Sequence, residues 1–455
     1  MHSCRLSSQV INRKTKTGML IILSLLLSPA IALKDGEMEL LLVQVIWRHG
    51  DRSPTYTFRS DPFQERNWTF GGGGYGQLSP IGMKQHFNLG KLIRNMYVDT
   101  GFLGGRYSSK EIYVRSSDLN RTIISAMSNM MGMYGQNDSI RGVDYPDVPG
   151  WPVGYVPVAV HTVNRNTDYV VIPHAPCDRQ EKLWKMAKES DEVKAYLNKP
   201  EVANVFRDLT SKCGEEIDTE NIWIVRDALL IEQIHANETL RKTNKWFSDE
   251  FFKKISEIDV QLQQYGNGIF SKPVIMNNLD IGLEIQKIRG GSMFNDLNMH
   301  MNMKLDCLNN KHRPRCKWIS GLKYYVYSGH DTTISAFFSI LRLEEVIIPR
   351  GYPAYSAAVF IELWMNTTDG QPYFKIAYHP DDVENSIYPV TQRIAACEGK
   401  IYCNLAVFRD YAAKIKPDQA MYKWCRVDPL KASAALLSLA TLALSLISQA
   451  SWLSY

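Results

Sequence analysis

The stretch Arg48-His49-Gly50-Asp51-Arg52-Ser53-Pro54 decides how this chain is read. It sets a histidine between two arginines directly behind the apolar run Leu41-Leu42-Val43-Gln44-Val45-Ile46-Trp47. An apolar run of that length closed by a turn residue predicts a strand buried on both faces. The charged cluster then stands at the carboxyl end of a strand, where open α/β sheets collect their ligands, and Gly50 is expected to let the backbone turn tightly. A histidine beside arginines is commonly a surface feature, so the case for chemistry depends on the rest of the chain.

The same grammar of strand, charged residue and helix returns twice. Glu111-Ile112-Tyr113-Val114 delivers Arg115 and Ser116-Ser117-Asp118 before a helix from Leu119 to about Tyr134. Lys323-Tyr324-Tyr325-Val326-Tyr327 runs into Ser328-Gly329-His330-Asp331-Thr332-Thr333 and an apolar helix from Ile334 to Leu341. Strands in one parallel sheet open their ends on the same side. Arg48, His49 and Arg52, then Arg115, then His330 and Asp331 are therefore expected to meet.

Between these motifs, Ser79 caps a helix that Pro80 opens and that runs to about Tyr97, with Ile81, Phe87, Leu89, Leu92, Ile93 and Met96 facing the core. The glycine-rich stretch from Asn67 to Gly76 follows no strand and has no Walker lysine, so it reads as a loop. From about 177 to 270 the sequence turns charged, with apolar residues at helical spacing over Lys182 to Leu197 and Ala228 to Tyr265, which predicts a smaller helical cap inserted in the α/β domain. A helix from Leu283 to about Leu305 and late strands over Ala358 to Trp364 and Tyr373 to Tyr378 follow. The fold expected is α/β, a doubly wound sheet carrying that cap, over 33–430. His300 among its methionines has no neighbours at metal-ligand spacing, and neither metal nor cofactor is expected.

A net charge of +5 over 455 residues, without a long basic run, gives nucleic-acid binding no support. Residues 1–32 read as an export signal: Arg13, Lys14 and Lys16 precede the apolar run Met19 to Leu27, and Ala30-Ile31-Ala32 has the form of a cleavage site. Residues 431–455 are apolar with no charge after Lys431, which fits a membrane span or a tail exchanged for a lipid anchor. Sequons stand at Asn67, Asn120, Asn137, Asn237 and Asn366; Asn120, at a helix start near the charged cluster, is the one expected to stay bare. Losing Cys4 with the signal leaves Cys177, Cys213, Cys307, Cys316, Cys397, Cys403 and Cys425. An exported chain permits disulfides, an odd count leaves a thiol over, and spacing alone leaves the pairing open.

Chemically, the cluster suits a phosphate monoester. Arginine forks and helix starts hold phosphate oxygens. A neutral His49 among arginines can attack phosphorus, and Asp331 can protonate the departing alkoxide once a neighbouring anion raises its pKa.

Arg48-His49-Gly50-Asp51-Arg52-Ser53-Pro54, Arg115-Ser116-Ser117-Asp118 and His330-Asp331-Thr332-Thr333 together resemble the motifs of the histidine acid phosphatases, and the resemblance extends from Leu41 to Cys425. It implies a phosphohistidine at His49, phosphate held by Arg48, Arg52, Arg115 and His330, and proton donation by Asp331. The aspartate after the distal histidine is similar to the branch with the prostatic and lysosomal enzymes. The resemblance also implies Cys177–Cys425 and Cys397–Cys403 bridges and a homodimer contact near Tyr155 to His161; Cys213, Cys307 and Cys316 depart from the family's pattern, and with Cys307 and Cys316 able to close a short loop, Cys213 is expected to be the odd thiol. The substrate is then a small phosphate monoester, a phosphoprotein or a phospholipid. The alternatives are a phosphotransferase using the same intermediate and a membrane-anchored recognition protein on a phosphatase fold.

Overall fold

The structure, a computed structural model, describes residues 33–135, 138–348 and 351–429. The signal and the apolar tail lie outside the described residues, as does the sequon at Asn137. Among the described residues no helix is long and apolar enough to cross a membrane.

Strand β1 (Met38–Arg48) is the middle of the molecule. Its side chains alternate between two cores, Leu42 and Ile46 on one face and Val43, Val45 and Trp47 on the other, all fully buried. β2 (Ile112–Ser117), β3 (Val160–Val163), β4 (Tyr324–Gly329), β5 (Ala358–Asn366), β6 (Pro372–His379) and β7 (Tyr388–Pro389) complete the path β7-β6-β5-β1-β4-β2-β3, with short strands at Lys34–Asp35 and Cys403–Asn404 on its margins. β1, β4, β2 and β3 run parallel, in the registers Arg48↔Gly329, Arg115↔Tyr327 and Arg115↔His161. The three strands expected from the sequence are thus neighbours whose carboxyl ends open together. The strands on the other side, β5 to β7, are antiparallel.

Helices cover both faces. α1 (Pro80–Ile93) and α2 (Asn120–Tyr134) pack on the Trp47 side through Leu89, Ile93, Met130 and Met133. Ser79 caps α1 by accepting from the Gly82 amide, as its position suggests, but Ile81 points to solvent at 42% exposure because the first turn overhangs the sheet's end. A π-helical turn, Arg94–Val98, carries α1 on to its expected length.

The charged middle segment contains α3 (Asp178–Lys188), α4 (Ile222–His235) and α5 (Asp249–Gly266). Shorter helices at Asp191–Leu197, Pro200–Cys213 and Asn237–Thr243 stand between them. The longer helical stretches foreseen here are broken where Ser190 and Ser248 turn their hydroxyls on the amides of Val193 and Phe251 and start new helices. Leu209, Val225, Leu229 and Ile255 give this segment its own core, joined by Phe58 from the loop after the arginine motif.

Of the later helices, α7 (Gly291–Asp306) and α8 (Asp331–Ile340) pack on the other face of the sheet, as does the helix Leu405–Lys414, and α6 (Ile281–Arg289) sets Ile281, Ile285 and Ile288 against Leu183 and Trp424. The single helix expected from Leu283 to Leu305 is two, parted at Gly290. A Cβ there would stand 2.8 Å from the Ala336 carbonyl, so the break lets α8 pack against the junction.

Three disulfides form, Cys177–Cys425, Cys307–Cys316 and Cys397–Cys403, and Cys213 is buried and unpaired. Asn67, Asn120 and Asn237 are exposed and Asn366 is half-buried. Asn120 donates its amide to Gln77 Oε1 at 3.2 Å.

Candidate active site

His49 is the first residue beyond β1 and is 2% exposed. Its Nδ1 lies 2.8 Å from the Gly50 carbonyl. A carbonyl only accepts, so this nitrogen carries the proton and Nε2 keeps its lone pair. Burial, followed by the charges of Arg121, Arg52 and Arg48 and by His330, drives the His49 pKa well below the usual histidine value. Burial and the arginines thus favour the neutral ring, with a fixed tautomer. Gly50 itself keeps ordinary negative φ; what demands glycine is the approach of α1, because a Cβ would collide with the Gly82 carbonyl.

His330 follows β4 and caps α8, its amide donating to Thr333 Oγ1 at 3.1 Å, while its Nε2 lies 3.0 Å from Ser117 Oγ. The two imidazoles meet edge to face at 5.6 Å. Burial, Arg121 and His174 hold His330 well below its ordinary pKa.

Asp331, the first residue of α8, receives Arg48 Nη2 at 3.0 Å. Burial raises its pKa, but Arg48, Arg52 and His330 outweigh burial and bring it down to about 2. Arg48 gives its other terminal nitrogen to the Pro353 carbonyl at 2.6 Å and lies over the Tyr355 ring at 4.2 Å. Arg52 makes a two-pronged pair with Asp227 of α4, at 2.9 and 3.0 Å. That pairing overcomes the effect of burial and raises the guanidinium's pKa. Asp51, between them, binds His235 Nε2 at 2.7 Å and the Ser79 hydroxyl. Asp227 and His235 are eight residues apart on one face of α4, so two links join that helix to the motif.

Arg115 does not reach this cluster. The structure extends β2 through it, and the strand's alternation turns it onto the face covered by α7. There its Nη2 pairs with buried Asp168 at 2.7 Å, and its Nη1 stands 3.8 Å from Asp296. The arginine that does reach the cluster is Arg121, in the first turn of α2, which the sequence reading passed over. Burial and the charge of Arg52 depress its pKa to about 9, and its Nε has no partner among the described residues. Its signal in the sequence is its place: like Asp331, it is a first-turn residue of a helix that follows a strand.

His49, Arg52, Arg121, His330 and Asp331 line one end of a cavity of about 480 Å³, and Trp184, Glu220, Trp223, Arg226, Asp259 and Tyr352 line its further walls. Among the described residues no group of three or more His, Cys, Asp or Glu side chains is arranged to hold a metal ion. A neutral imidazole nitrogen, two guanidinium groups and a carboxyl group around one space can bind, attack and protonate an anionic ester.

Residues 39–379 match the family model of the histidine phosphatase superfamily, branch 2. The chain is 32% identical over 400 residues to the putative acid phosphatase 10 of Caenorhabditis elegans, covering 87% of this chain and 95% of that one. It is 31% identical over 380 residues to the mouse (Mus musculus) prostatic acid phosphatase, with 82% and 86% covered. Its fold is similar to that of the Hafnia alvei phytase, with a TM-score of 0.58 at 14% identity, covering 87% of this chain and all of that one. The chain belongs to the histidine phosphatase superfamily, branch 2, and is a phosphoric monoester hydrolase.

Proposed function

We propose that the protein is an acid phosphatase that works through a phosphohistidine on His49 Nε2, with Asp331 as proton donor. The observation that carries this reading is the His49 tautomer: Nδ1–H donates to the Gly50 carbonyl, which leaves Nε2 unprotonated beside Arg52 and Arg121. In the first step the Nε2–P bond forms, the P–O bond to the alcohol breaks, and the proton of Asp331 passes to the leaving oxygen. In the second, water attacks phosphorus, gives its proton back to Asp331, and the Nε2–P bond breaks to release phosphate. Arg52 and Arg121 neutralise the charge on the phosphoryl oxygens, His330 stands beside them, and Arg48 holds Asp331 in place.

The test is covalent labelling. Alkaline quench during turnover of a 32P-labelled ester should leave alkali-stable, acid-labile phosphate on the wild type and none on His49→Ala. A full-strength label on His49→Ala would move the nucleophile to another residue. Three disulfides support an oxidising compartment, and with relatives named prostatic and lysosomal acid phosphatases they support a route through the secretory pathway; the reading of residues 431–455 as a membrane anchor rests on their apolar sequence. The exposed edge strand β3, which carries His161, is the surface we assign to a homodimer contact.

A further inference from the structure

Among the described residues four arginines line the cavity, and they differ in what holds them. Arg52 is paired with Asp227, and Arg289 donates its Nε to Asn267 Oδ1 at 2.8 Å. Arg121 and Arg226 make neither a hydrogen bond nor an ion pair among the described residues, and the Nε of each is buried without a partner. The phosphate of the ester accounts for Arg121 and leaves Arg226 unexplained.

Arg226 is half-buried on α4, and its guanidinium carbon lies 3.9 Å from the centre of the Tyr352 ring. A guanidinium held over a ring face keeps its N–H donors free for an anion. Its neighbours place it beside the phosphate end. Asp227, the next residue, holds Arg52. Burial and Asp259 raise the Tyr352 hydroxyl well above its ordinary pKa, and the charge of Asp331 adds to this, so Tyr352 stands within electrostatic reach of Asp331.

The carboxylates of the cavity are otherwise engaged. Asp227 is taken by Arg52, Asp331 by Arg48, and Glu220 by Lys188 at 2.6 Å, while Glu181 is exposed on the first turn of α3. Asp259 accepts the Tyr352 hydroxyl at 2.7 Å, and burial pushes it up to about 6, so at acid pH it carries a proton and offers Arg226 no counter-charge. A cavity of about 480 Å³ is in the range that encloses a whole small ligand, so the alcohol part of the ester is held as well as the phosphate.

We propose that Arg226 is a specificity-determining residue that binds a second anionic group, a carboxylate or a phosphate, on the alcohol part of the ester. This rests on the phosphohistidine reading above. An anion there meets a partly desolvated guanidinium with free donors, which a neutral group cannot match.

The experiment uses straight-chain phosphate esters with two to six methylenes, ending in a carboxylate, in a second phosphate, or in a neutral amide. At pH 5.5, kcat/KM is measured on the full chain for the wild type, Arg226→Gln, Arg226→Ala and Arg226→Lys. Wild type should favour a charged end over the amide by about tenfold to a hundredfold at the best length, the range of a charged hydrogen bond. Arg226→Gln and Arg226→Ala should lose that preference, and Arg226→Lys, which keeps the charge without the fork, should keep part of it. The carboxylate and phosphate arms tell the two anions apart. A wild type indifferent to the end group at every length, a preference that survives in Arg226→Gln and Arg226→Ala, or equal losses on charged and amide esters would overturn the assignment. Trapping the phosphoenzyme from the amide ester on the wild type separates the two failures: a label without preference sinks only the role of Arg226, and turnover without a label sinks the phosphohistidine.

Discussion

Asp331 has to be protonated to act as a donor, yet three positive or partly positive neighbours hold it at about 2 in the phosphate-free protein. A phosphate dianion beside it reverses that field, because it offsets the arginines and opposes a second negative charge. Binding and acidity are then linked, which places the activity on the acid side. Asp331→Asn should slow alkyl phosphates roughly a hundred- to ten-thousandfold while activated aryl phosphates lose far less, since only a poor leaving group needs the proton. Phosphoenzyme formation rates for both esters check this, and equal losses would leave Asp331 a structural role only. The two arginines of the middle motif separate in the same way. Arg121→Ala should weaken phosphate inhibition and kcat/KM together. Arg115→Ala should instead destabilise the fold by about 3–5 kcal/mol, because it strands buried Asp168, while labelling of His49 persists. Denaturation midpoints and labelling measured on both variants distinguish them.

Helix α4 is the element through which the helical segment grips the nucleophile motif, by Asp227 on Arg52 and by His235 on Asp51. Removing Asp227 leaves the Arg52 guanidinium buried without its counter-charge, and a bound phosphate is then the anion best placed to supply one. Asp227→Asn should therefore be less stable than wild type without ligand but gain more from saturating inorganic phosphate. Thermal melts with and without phosphate measure the two shifts, and an equal gain in both proteins would mean that phosphate does not reach Arg52.

Across the whole molecule, two sets of buried groups pull stability in opposite directions with pH. Burial lowers His86 to about 3 and His174 to about 4, and His49 and His330 lie well below 6.5 too. Below about 6.5 the unfolded chain takes up these protons and the folded one does not, so this set lowers stability as pH falls. Burial raises Asp259 to about 6, Glu344 to about 8 and Glu232, which faces Asp61, to about 10. Above about 4.5 the folded chain holds these protons and the unfolded one does not, so this set lowers stability as pH rises. The two slopes oppose each other between about 4.5 and 6.5, and stability should be greatest there. Melting temperatures from pH 4 to 9 check the position of the maximum, and Glu232→Gln should flatten the limb above pH 7. An unchanged alkaline limb in that variant would remove Glu232 from the account.

The sequence by itself determined the frame of this protein. Apolar runs ending in charged residues specify strands, so the meeting of Arg48, His49, Arg52, His330 and Asp331 at neighbouring strand ends was legible from local pattern. Ser79 and Pro80 announced α1 for the same local reason. What only the tertiary structure decided are the facts that depend on side-chain direction and distant partners. Arg115 and Arg121 stand six positions apart, and only the observed extent of β2 puts one inside the strand, turned onto Asp168, and leaves the other, on the first turn of α2, in the cavity. Asp227 and His235 sit on a helix whose pattern says which face is apolar, not which polar residue meets the motif 175 and 184 positions earlier. Gly50 looked like a turn residue and proved to be the place where α1 comes too close for any Cβ. Local periodicity encodes elements; the contacts that convert them into a site arise between elements, and no single stretch of the chain contains both halves of such a contact.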